Sequence, residues 1–293
     1  MLNMHCVICV GEGAGTKEEL NGLKNSSATI ESTLSEIGIS SSIYIIKQNC
    51  PINIPRCDFV FNLCDNDEGY IDSFINFTTF LERKGIPYTG NTSTCFRACQ
   101  DKLSWSKNSV MKTYFPVRSN NLQGISIPCI IKHRYNHGSL FPMHVINDKK
   151  DSLHYNSVTE DYFYEEFITG KELSISCLLN ETPLIGIRCF DDGDVLDFQT
   201  KWQVGVGVER YTLSNDDFRY ITQMVHDIRT YLNVNSYMRL DLRMSKNNNL
   251  YLIDINPNCS LDPQGSFCTI LAQYNINYKL TIESIVFKLL NES

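Results

Sequence analysis

The sequence predicts an α/β unit followed by α+β units, and three observations indicate this fold class. Strand-like and helix-like segments alternate up to Thr89-Gly90-Asn91, which is typical of a parallel sheet covered by helices. Beyond that point, a short helix precedes separate strand-like segments. From Lys171 onward, strands alternate, and a long helix and a strand pair follow.

In the first unit, apolar and β-branched runs predict strands, and amphipathic segments predict helices. We expect the helices to end at Gly38 and Gly85, because glycine readily adopts the left-handed conformation that closes a helix. The predicted elements are a strand at 5–10, a helix at 17–37, a strand at 39–46, a strand at 59–63 and a helix at 71–84. These elements predict a three-layer, parallel α/β arrangement.

The later units contain a larger share of strands. The predicted elements are a helix at 94–108, strands at 128–133, 162–168, 172–179 and 183–190, a helix at 214–232, strands at 237–244 and 250–256, and one last helix. Asn247-Asn248-Asn249 lies between the final two strands and predicts a hairpin turn.

Composition and charge argue against several classes of protein. The 293 residues carry a net charge of −7, and the 26 lysines and arginines are scattered, so no surface for nucleic acid is expected. The N-terminus lacks a basic region, and no apolar run approaches the ~20 residues of a membrane span. We expect a soluble cytoplasmic protein.

The 12 cysteines are spread along the chain, and without an export signal we expect reduced thiols. Cys6 and Cys9 have CxxC spacing within an apolar run that predicts a buried strand. Alternation along a strand sends these two side chains to opposite faces. A structural role is therefore favoured over metal or redox chemistry, as it is for Cys95 and Cys99.

Polar residues interrupt the last strand pair. Arg239 and Asp241 lie in its first strand, and Asp254 and Asn256 lie in its second. Residues of equal parity in paired strands face the same side, so these side chains can share one surface. Two carboxylates and an amide oxygen suit Mg²⁺. The alternative is a solvated hairpin face with surface ion pairs.

This order of residues resembles the end of the nucleotide site in D-alanine–D-alanine ligases and their ATP-grasp relatives. Other segments resemble the same family: Phe61-Asn62-Leu63 with Glu68-Gly69, Gly85-Ile86-Pro87-Tyr88-Thr89-Gly90, and Asp101-Lys102. The resemblance implies a three-domain ATP-grasp fold, with a Rossmann-like N-terminal domain at 1–92 and subdomains at 93–170 and 171–293. ATP would be held between the sheets of the two subdomains.

The resemblance also implies a role for individual residues. The phosphates would contact Lys102, Lys132, Lys201 and Ser139 of the loop His137-Gly138-Ser139. Adenine and ribose would contact Glu165, Glu166, Ile168 and Glu172. Metal ligands would be Asp241, Asp254 and Asn256, the last also near the nucleotide. Catalysis would involve Arg239 and Ser139, and substrate binding would involve Glu18, Glu68, Arg239 and Asn258.

Such enzymes transfer the γ-phosphate of ATP to a substrate carboxylate, and an amine then displaces phosphate from the acyl phosphate. Positioning and charge neutralisation supply most of the acceleration in phosphoryl transfer. The resemblance therefore implies ATP with Mg²⁺ or Mn²⁺ as cofactors, amino acid or peptide substrates, and a homodimer.

Two alternatives stay open. Gly11-Glu12-Gly13-Ala14-Gly15 suggests a nucleotide-cofactor oxidoreductase, although Thr16 stands at the last glycine position of GxGxxG. An ATP-grasp protein with a binding or regulatory role is suggested by Asp254, where the family more often has glutamate. Leu140-Phe141-Pro142, in place of small residues after the loop, suggests the same role.

Overall fold

The computed structural model describes residues 4–11, 17–47, 51–64, 71–135, 144–148, 159–179, 182–190 and 207–292. Strands in these ranges form three sheets. No helix in the same ranges is long and apolar enough to cross a membrane. The cysteines of the described residues are free thiols.

The N-terminal unit is a parallel sheet with strand order β2-β1-β3. Its elements are β1 (His5–Gly11), α1 (Lys17–Glu36), β2 (Ser40–Ile46), β3 (Phe59–Leu63) and α2 (Ile71–Lys84). Cys6 of β1 lies in one core with Leu34 of α1, and Cys9 lies in another core with Phe77 of α2. The three layers and the opposite faces of the CxxC pair are therefore confirmed.

The central unit is built around an antiparallel sheet with strand order β4-β7-β5-β6. It comprises α3 (Ser93–Gln100), β4 (Arg118–Ser119), β5 (Cys129–His133), β6 (His144–Ile146), β7 (Tyr162–Glu166) and 3-10 turns at Ser104–Lys107, Met111–Tyr114 and Leu122–Gly124. Cys129, Ile131 and Tyr164 bury one face of this sheet. The other face therefore carries Lys132 and Glu165, by strand alternation.

The predicted single helix at 94–108 is wrong, because α3 ends at Gln100. Asp101 leaves the helical conformation with φ −95° and ψ 97°. Its carboxylate accepts a hydrogen bond from the backbone N–H of Leu103 at 3.1 Å. Aspartate side chains compete with helix hydrogen bonds in this way. The break places Lys102 in a connection between helical segments rather than inside a helix.

The C-terminal unit is an antiparallel sheet with strand order β10-β9-β8-β11-β12. It comprises β8 (Gly170–Cys177), β9 (Leu184–Arg188), β10 (Val208–Arg210), α4 (Asn215–Leu232), β11 (Met238–Ser245), β12 (Leu250–Asn256), α5 (Ser266–Gln273) and α6 (Tyr278–Glu292). The hairpin turn between β11 and β12 is confirmed, and Asn248 adopts φ 63° there. The predicted single last helix is wrong, because Asn275 at φ 65° separates α5 from α6.

The five-stranded sheet has one apolar and one polar face. Leu173, Leu240 and Leu252 belong to a buried core that also contains Ile228 of α4. The polar face, as we call it below, carries Glu172, Ser174, Arg188, Arg239, Asp241, Arg243, Asp254 and Asn256. These polar side chains lie on the side opposite to α4, next to the central sheet.

Strand β12 contains a bulge. Asp254 pairs with Asp241, but Leu252 pairs with Leu242, which leaves Ile253 as an extra residue. A bulge interrupts the alternation of side chains along a strand. Leu252 therefore belongs to the apolar core, whereas Asp254 lies on the polar face.

Asn91 joins the N-terminal unit to the C-terminal hairpin. Its side chain is fully buried. The amide nitrogen donates to the carbonyl oxygens of Tyr237 at 3.0 Å and Pro257 at 2.6 Å. The amide oxygen accepts from the backbone N–H groups of Asn235 at 3.0 Å and Ser236 at 2.9 Å. One side chain thus fixes both ends of the hairpin against the segment that follows the N-terminal sheet.

Candidate active site

Asp241 lies at the centre of the polar face, opposite Asp254 in the strand register. Its carboxylate accepts from Arg239 Nη2 at 2.9 Å and Nε at 3.1 Å, and from the Ser174 hydroxyl at 3.0 Å. Arg188 Nη2 contacts it at 3.3 Å. Asp241 is only 7% exposed, so the alternative of a solvated hairpin face is wrong.

Asp241 is charged despite its burial. Desolvation raises the pKa of a buried carboxyl, but the guanidinium groups of Arg239 and Arg188 and the hydrogen bond from Ser174 outweigh it. The pKa of Asp241 is held well below its usual range. The pKa of Arg239 is raised, because the attraction of Asp241 outweighs desolvation. The site therefore contains a fixed guanidinium–carboxylate pair.

Glu172 forms a second buried cluster with two arginines. Its Oε1 lies 3.1 Å from Arg188 Nε, and its Oε2 lies 3.2 Å from Arg243 Nη2. Arg243 Nη1 also donates to the Gly170 carbonyl oxygen at 2.9 Å. Burial raises the pKa of Glu172, and the two arginines offset this only in part. Through Arg188, this cluster is continuous with Asp241.

On the central sheet, Glu165 forms ion pairs with two basic side chains, those of Lys132 and Arg118. Its Oε1 lies 2.6 Å from Lys132 Nζ. Its Oε2 lies 2.6 Å from Arg118 Nη2 and 2.7 Å from Arg118 Nε. The side chains of Arg118 and Glu165 are 1% and 2% exposed. This pair is therefore almost fully desolvated, and the carboxylate is bound on both oxygens.

Two lysines connect the central sheet with the hairpin. Lys102 Nζ lies 2.9 Å from Asp254 Oδ1. Lys132 Nζ donates to the carbonyl oxygen of Ile253 at 3.3 Å, at the bulge. The structure therefore brings two of the three predicted phosphate lysines, Lys102 and Lys132, to the edge of the predicted metal site.

Among the described residues, the largely buried ion pairs of the two sheets contain more basic than acidic side chains. The basic ones are Lys102, Arg118, Lys132, Arg134, Arg188, Arg239 and Arg243, and the acidic ones are Asp101, Glu165, Glu172, Asp241 and Asp254. A cluster of this kind is suited to a polyanionic ligand, because its cations can neutralise phosphate oxygens.

The donor set of Asp241, Asp254 and Asn256 fits a hard divalent cation. Asn256 Nδ2 lies 3.4 Å from Asp241 Oδ2 and 3.5 Å from Asp254 Oδ2. The three side chains thus converge, and two carboxylates with an amide oxygen are typical Mg²⁺ ligands. Among the described residues, no group of three or more His, Cys, Asp and Glu forms a metal site. Any ion here would depend on the amide and on further ligands.

Other predicted residues are placed as follows. The Glu166 N–H donates to the Val117 carbonyl oxygen at 2.9 Å, and Ile168 is buried. Asn258 accepts from the Tyr237 hydroxyl at 3.1 Å and donates to the Cys64 carbonyl oxygen at 3.0 Å. The substrate role of Asn258 and the adenine roles of Glu165, Glu166 and Ile168 stay predictions, as does the ribose role of Glu172.

Several predicted positions lie outside the described residues, namely Glu68, Ser139, Lys201 and the side chain of Glu18. Sequence reasoning missed Arg118, Arg188 and Arg243. Arg188 and Arg243 carried a usable signal, because each is a charged residue within an apolar strand. Arg118 lies two residues after Pro116, in the two-residue strand β4, and its sequence context gives no comparable signal.

Solved structures of a D-alanine–D-alanine ligase have a similar fold. A D-alanine–D-alanine ligase from Bacillus anthracis matches with a TM-score of 0.76 and 17% identity, covering 98% of both chains. The same enzyme complexed with ATP matches with a TM-score of 0.76 and 16% identity, covering 99% of this chain and 98% of that one. The fold is therefore the ATP-grasp fold of these ligases, in agreement with the predicted fold class.

Sequence comparison gives the family. Residues 107–287 match the family model described as D-ala D-ala ligase C-terminus. A D-alanine–D-alanine ligase from Methylacidiphilum infernorum is 26% identical over 266 residues, which cover 85% of this chain and 84% of the relative. The chain belongs to the D-alanine–D-alanine ligase family and is an ATP-dependent ligase of the ATP-grasp type. The oxidoreductase alternative has no support from these matches.

Proposed function

We propose that the protein is an ATP-dependent carboxylate–amine ligase that joins two amino acids, or an amino acid and a peptide, through an acyl phosphate. The observation that carries this proposal is the excess of basic over acidic side chains in the described ion pairs of the two sheets, next to the donors Asp241, Asp254 and Asn256. A site that transfers a phosphoryl group needs such neutralisation more than it needs a nucleophilic side chain. The relatives named as D-alanine–D-alanine ligases suggest D-alanine as the first candidate substrate.

Lys102 and Lys132 would bind phosphate oxygens of ATP. An ammonium group is a compact point charge that can exchange one anionic partner for another. Lys102 would leave Asp254 for a phosphate, and Lys132 would keep Glu165 as one partner. Lys201 would bind the γ-phosphate, and the Ser139 hydroxyl would donate to the phosphates. Glu165, Glu166 and Ile168 would contact adenine, and Glu172 would contact the ribose.

Asp241, Asp254 and Asn256 would hold Mg²⁺ or Mn²⁺, which would neutralise charge on the phosphates. Asp241 is kept ionised by Arg239 and Arg188, so it is available as an oxygen ligand at neutral pH. The amide of Asn256 would present its oxygen rather than its nitrogen to the ion. Asp254 is shorter than glutamate by one methylene, so its carboxylate reaches about 1.5 Å less far toward the ion.

Arg239 is the proposed catalytic side chain. Its guanidinium is oriented by Asp241 through two nitrogen atoms, and its side chain is 14% exposed. A fixed guanidinium can stabilise the negative oxygen that develops when an amine attacks the acyl phosphate. We infer that substrate groups also meet Glu18, Glu68 and Asn258.

We also propose the domain boundaries 1–92, 93–170 and 171–293. Asn91 supports the first boundary, since it bridges to the C-terminal hairpin. The first strand of the C-terminal sheet, β8, begins at Gly170, which lies within one residue of the second boundary. A cytoplasmic homodimer without nucleic-acid partners remains part of the proposal.

The test is phosphate release from ATP with Mg²⁺ across single amino acids, pairs of amino acids and dipeptides, with mass spectrometry of the products. We expect Lys132→Ala and Asp241→Asn each to lower kcat/KM by about 100-fold or more, because each removes a buried charge from the site. Lys279→Ala is the control, since Lys279 forms an exposed ion pair with Glu36.

Activity that is unaffected by both site substitutions would contradict the proposal. ATP binding without phosphate release for any substrate would favour the alternative of a binding or regulatory protein. That alternative is supported by the aspartate at position 254, in place of the family's more frequent glutamate.

A further inference from the structure

Arg118 is linked to both lysines of the candidate site, to Lys102 through its backbone and to Lys132 through Glu165. Its Nη1 donates to the carbonyl oxygen of Lys102 at 2.8 Å. Its Nε and Nη2 bind Glu165 Oε2, and the other oxygen of Glu165 binds Lys132. Each group that the Arg118 guanidinium contacts in this way therefore belongs to a lysine or is ion-paired with one.

The orientation of this guanidinium is fixed by aromatic rings. Its central carbon lies 3.9 Å from the centroid of the Phe115 ring, 5.4 Å from that of Phe163 and 5.7 Å from that of Trp105. Stacking and cation–π attraction favour arginine in such surroundings. Since the Arg118 side chain is 1% exposed, it has no surface with which to touch a nucleotide.

The two lysines depend on these contacts for different reasons. Lys102 lies in the connection after α3, where its backbone is held by Arg118 and by its own N–H bond to the Arg134 carbonyl oxygen at 3.0 Å. Lys132 lies on β5, but its long side chain has many rotamers, and Glu165 selects one of them. Glu165 is in turn held in place by Arg118.

We propose that Arg118 is a positioning residue that places the ammonium groups of Lys102 and Lys132 together for the phosphates of ATP. This inference rests on the proposed function, because it assumes that the two lysines bind phosphate. It assigns to Glu165 a role in orienting Lys132. It also implies that Arg118 affects nucleotide binding without contacting the nucleotide.

The experiment measures the Kd of a nonhydrolysable ATP analogue with Mg²⁺ by calorimetry on the full chain. We expect Arg118→Met to raise this Kd by ~10-fold, since both lysines lose their orientation. Arg118→Lys keeps the charge but cannot bind Glu165 and the Lys102 carbonyl at once, so it should restore affinity only in part. Thermal unfolding of each variant shows whether it folds, and Arg118→Lys serves if Arg118→Met does not.

Arg229→Met is the matched control. Arg229 is also a largely buried arginine, and its Nη1 donates to the carbonyl oxygens of Val234 at 3.2 Å and Ser236 at 3.0 Å. It lies at the end of α4, on the apolar side of the five-stranded sheet. We expect a lower Tm and a change in Kd of less than ~3-fold, because Arg229 contacts only the backbone before β11 and none of the ion-paired side chains of the site.

A double-mutant cycle with Lys132→Met separates positioning from general destabilisation. If Arg118 acts through Glu165 and Lys132, then Arg118→Met should cost less than ~3-fold in Kd once Lys132 is absent, a non-additive result. The full ~10-fold loss in that background would overturn the inference, as would an unchanged Kd for Arg118→Met or Arg118→Lys. If Lys132→Met alone leaves the Kd unchanged, the proposed function itself fails.

Discussion

Asp241 depends on its basic neighbours for its charge, and this gives a prediction at the scale of one residue. Asp241→Asn should lower the free energy of unfolding by about 3 kcal/mol at pH 7, because it leaves buried arginines without their carboxylate. The pKa of Asp241 is lower in the folded than in the unfolded chain. The stabilisation is therefore complete above the unfolded pKa and is lost as the pH falls toward the folded one.

Urea unfolding at pH 7, 5 and 3 measures this effect. The difference in the free energy of unfolding between wild type and Asp241→Asn should be the same at pH 7 and pH 5. At pH 3 this difference should be smaller by about 1 kcal/mol. Asp216→Asn is the control, because Asp216 forms an exposed ion pair with Arg219. A difference that stays constant down to pH 3 would contradict the assigned direction of the pKa.

Single residues also show what a sequence can reveal about this site. Asp241 and Asp254 could be predicted, because a carboxylate in an apolar strand needs a partner. The same rule would have identified Arg188 and Arg243. Arg118 could not be found in this way, since its partners Glu165 and Lys102 are distant in sequence, and no local pattern indicates their contact.

Gly170 begins β8, and its conformation gives a prediction for this element. Its φ is 149°, and a Cβ added there would lie 2.1 Å from the Met244 carbonyl oxygen on β11. Gly170→Ala should lower the free energy of unfolding by about 3 kcal/mol, through backbone strain and displacement of β11. Urea unfolding measures this loss.

Gly207→Ala is the matched control, because a Cβ at Gly207 meets no atom within 4 Å. It should change the free energy of unfolding by less than about 1 kcal/mol. Equal losses of unfolding free energy in Gly170→Ala and Gly207→Ala would contradict the explanation that close contact with β11 requires glycine at position 170.

Elements with a clear apolar period could be predicted, and α4 is an example. Its prediction at 214–232 agrees with the observed helix and with Ser214 as its N-cap residue. The helix predicted at 94–108 could not be divided correctly, because its break depends on hydrogen bonds of the Asp101 side chain. Such competition between a side chain and the backbone is not visible in hydrophobic periodicity.

At the scale of the whole molecule, Asn91 is a buried link between the N-terminal unit and the β11–β12 hairpin. Asn91→Ala removes four hydrogen bonds and leaves buried backbone groups without partners. We expect a loss of about 3 kcal/mol in the free energy of unfolding. Because the hairpin carries Asp241 and Asp254, we also expect weaker binding of the ATP analogue.

Chemical denaturation and calorimetry measure these two effects. Asn121→Ala is the control, since Asn121 is exposed and its side chain accepts a hydrogen bond only from the nearby N–H of Gly124. A loss of stability in Asn91→Ala no larger than that in the control would contradict the role of Asn91 as a link.

The order of the three units along the chain could be predicted from the sequence, because the change of pattern after Asn91 is local. Their mutual arrangement could not be derived from periodicity, since it depends on contacts such as Lys102 with Asp254 and Asn258 with Cys64. The resemblance to a family supplied that part of the prediction.

The extra residue in β12 has a consequence for chain length. If Ile253 were deleted, Leu252 and Asp254 would become neighbours in the chain. Regular alternation along the strand would then keep Leu252 on the apolar face and Asp254 on the polar face, as observed. Ile253 is therefore not needed to place the apolar and the charged side chains on opposite faces of the sheet. What it contributes is a main-chain oxygen directed at Lys132 from the opposite sheet. A homologue that is one residue shorter at this point would keep its carboxylates on the polar face but would lose this hydrogen bond from the lysine.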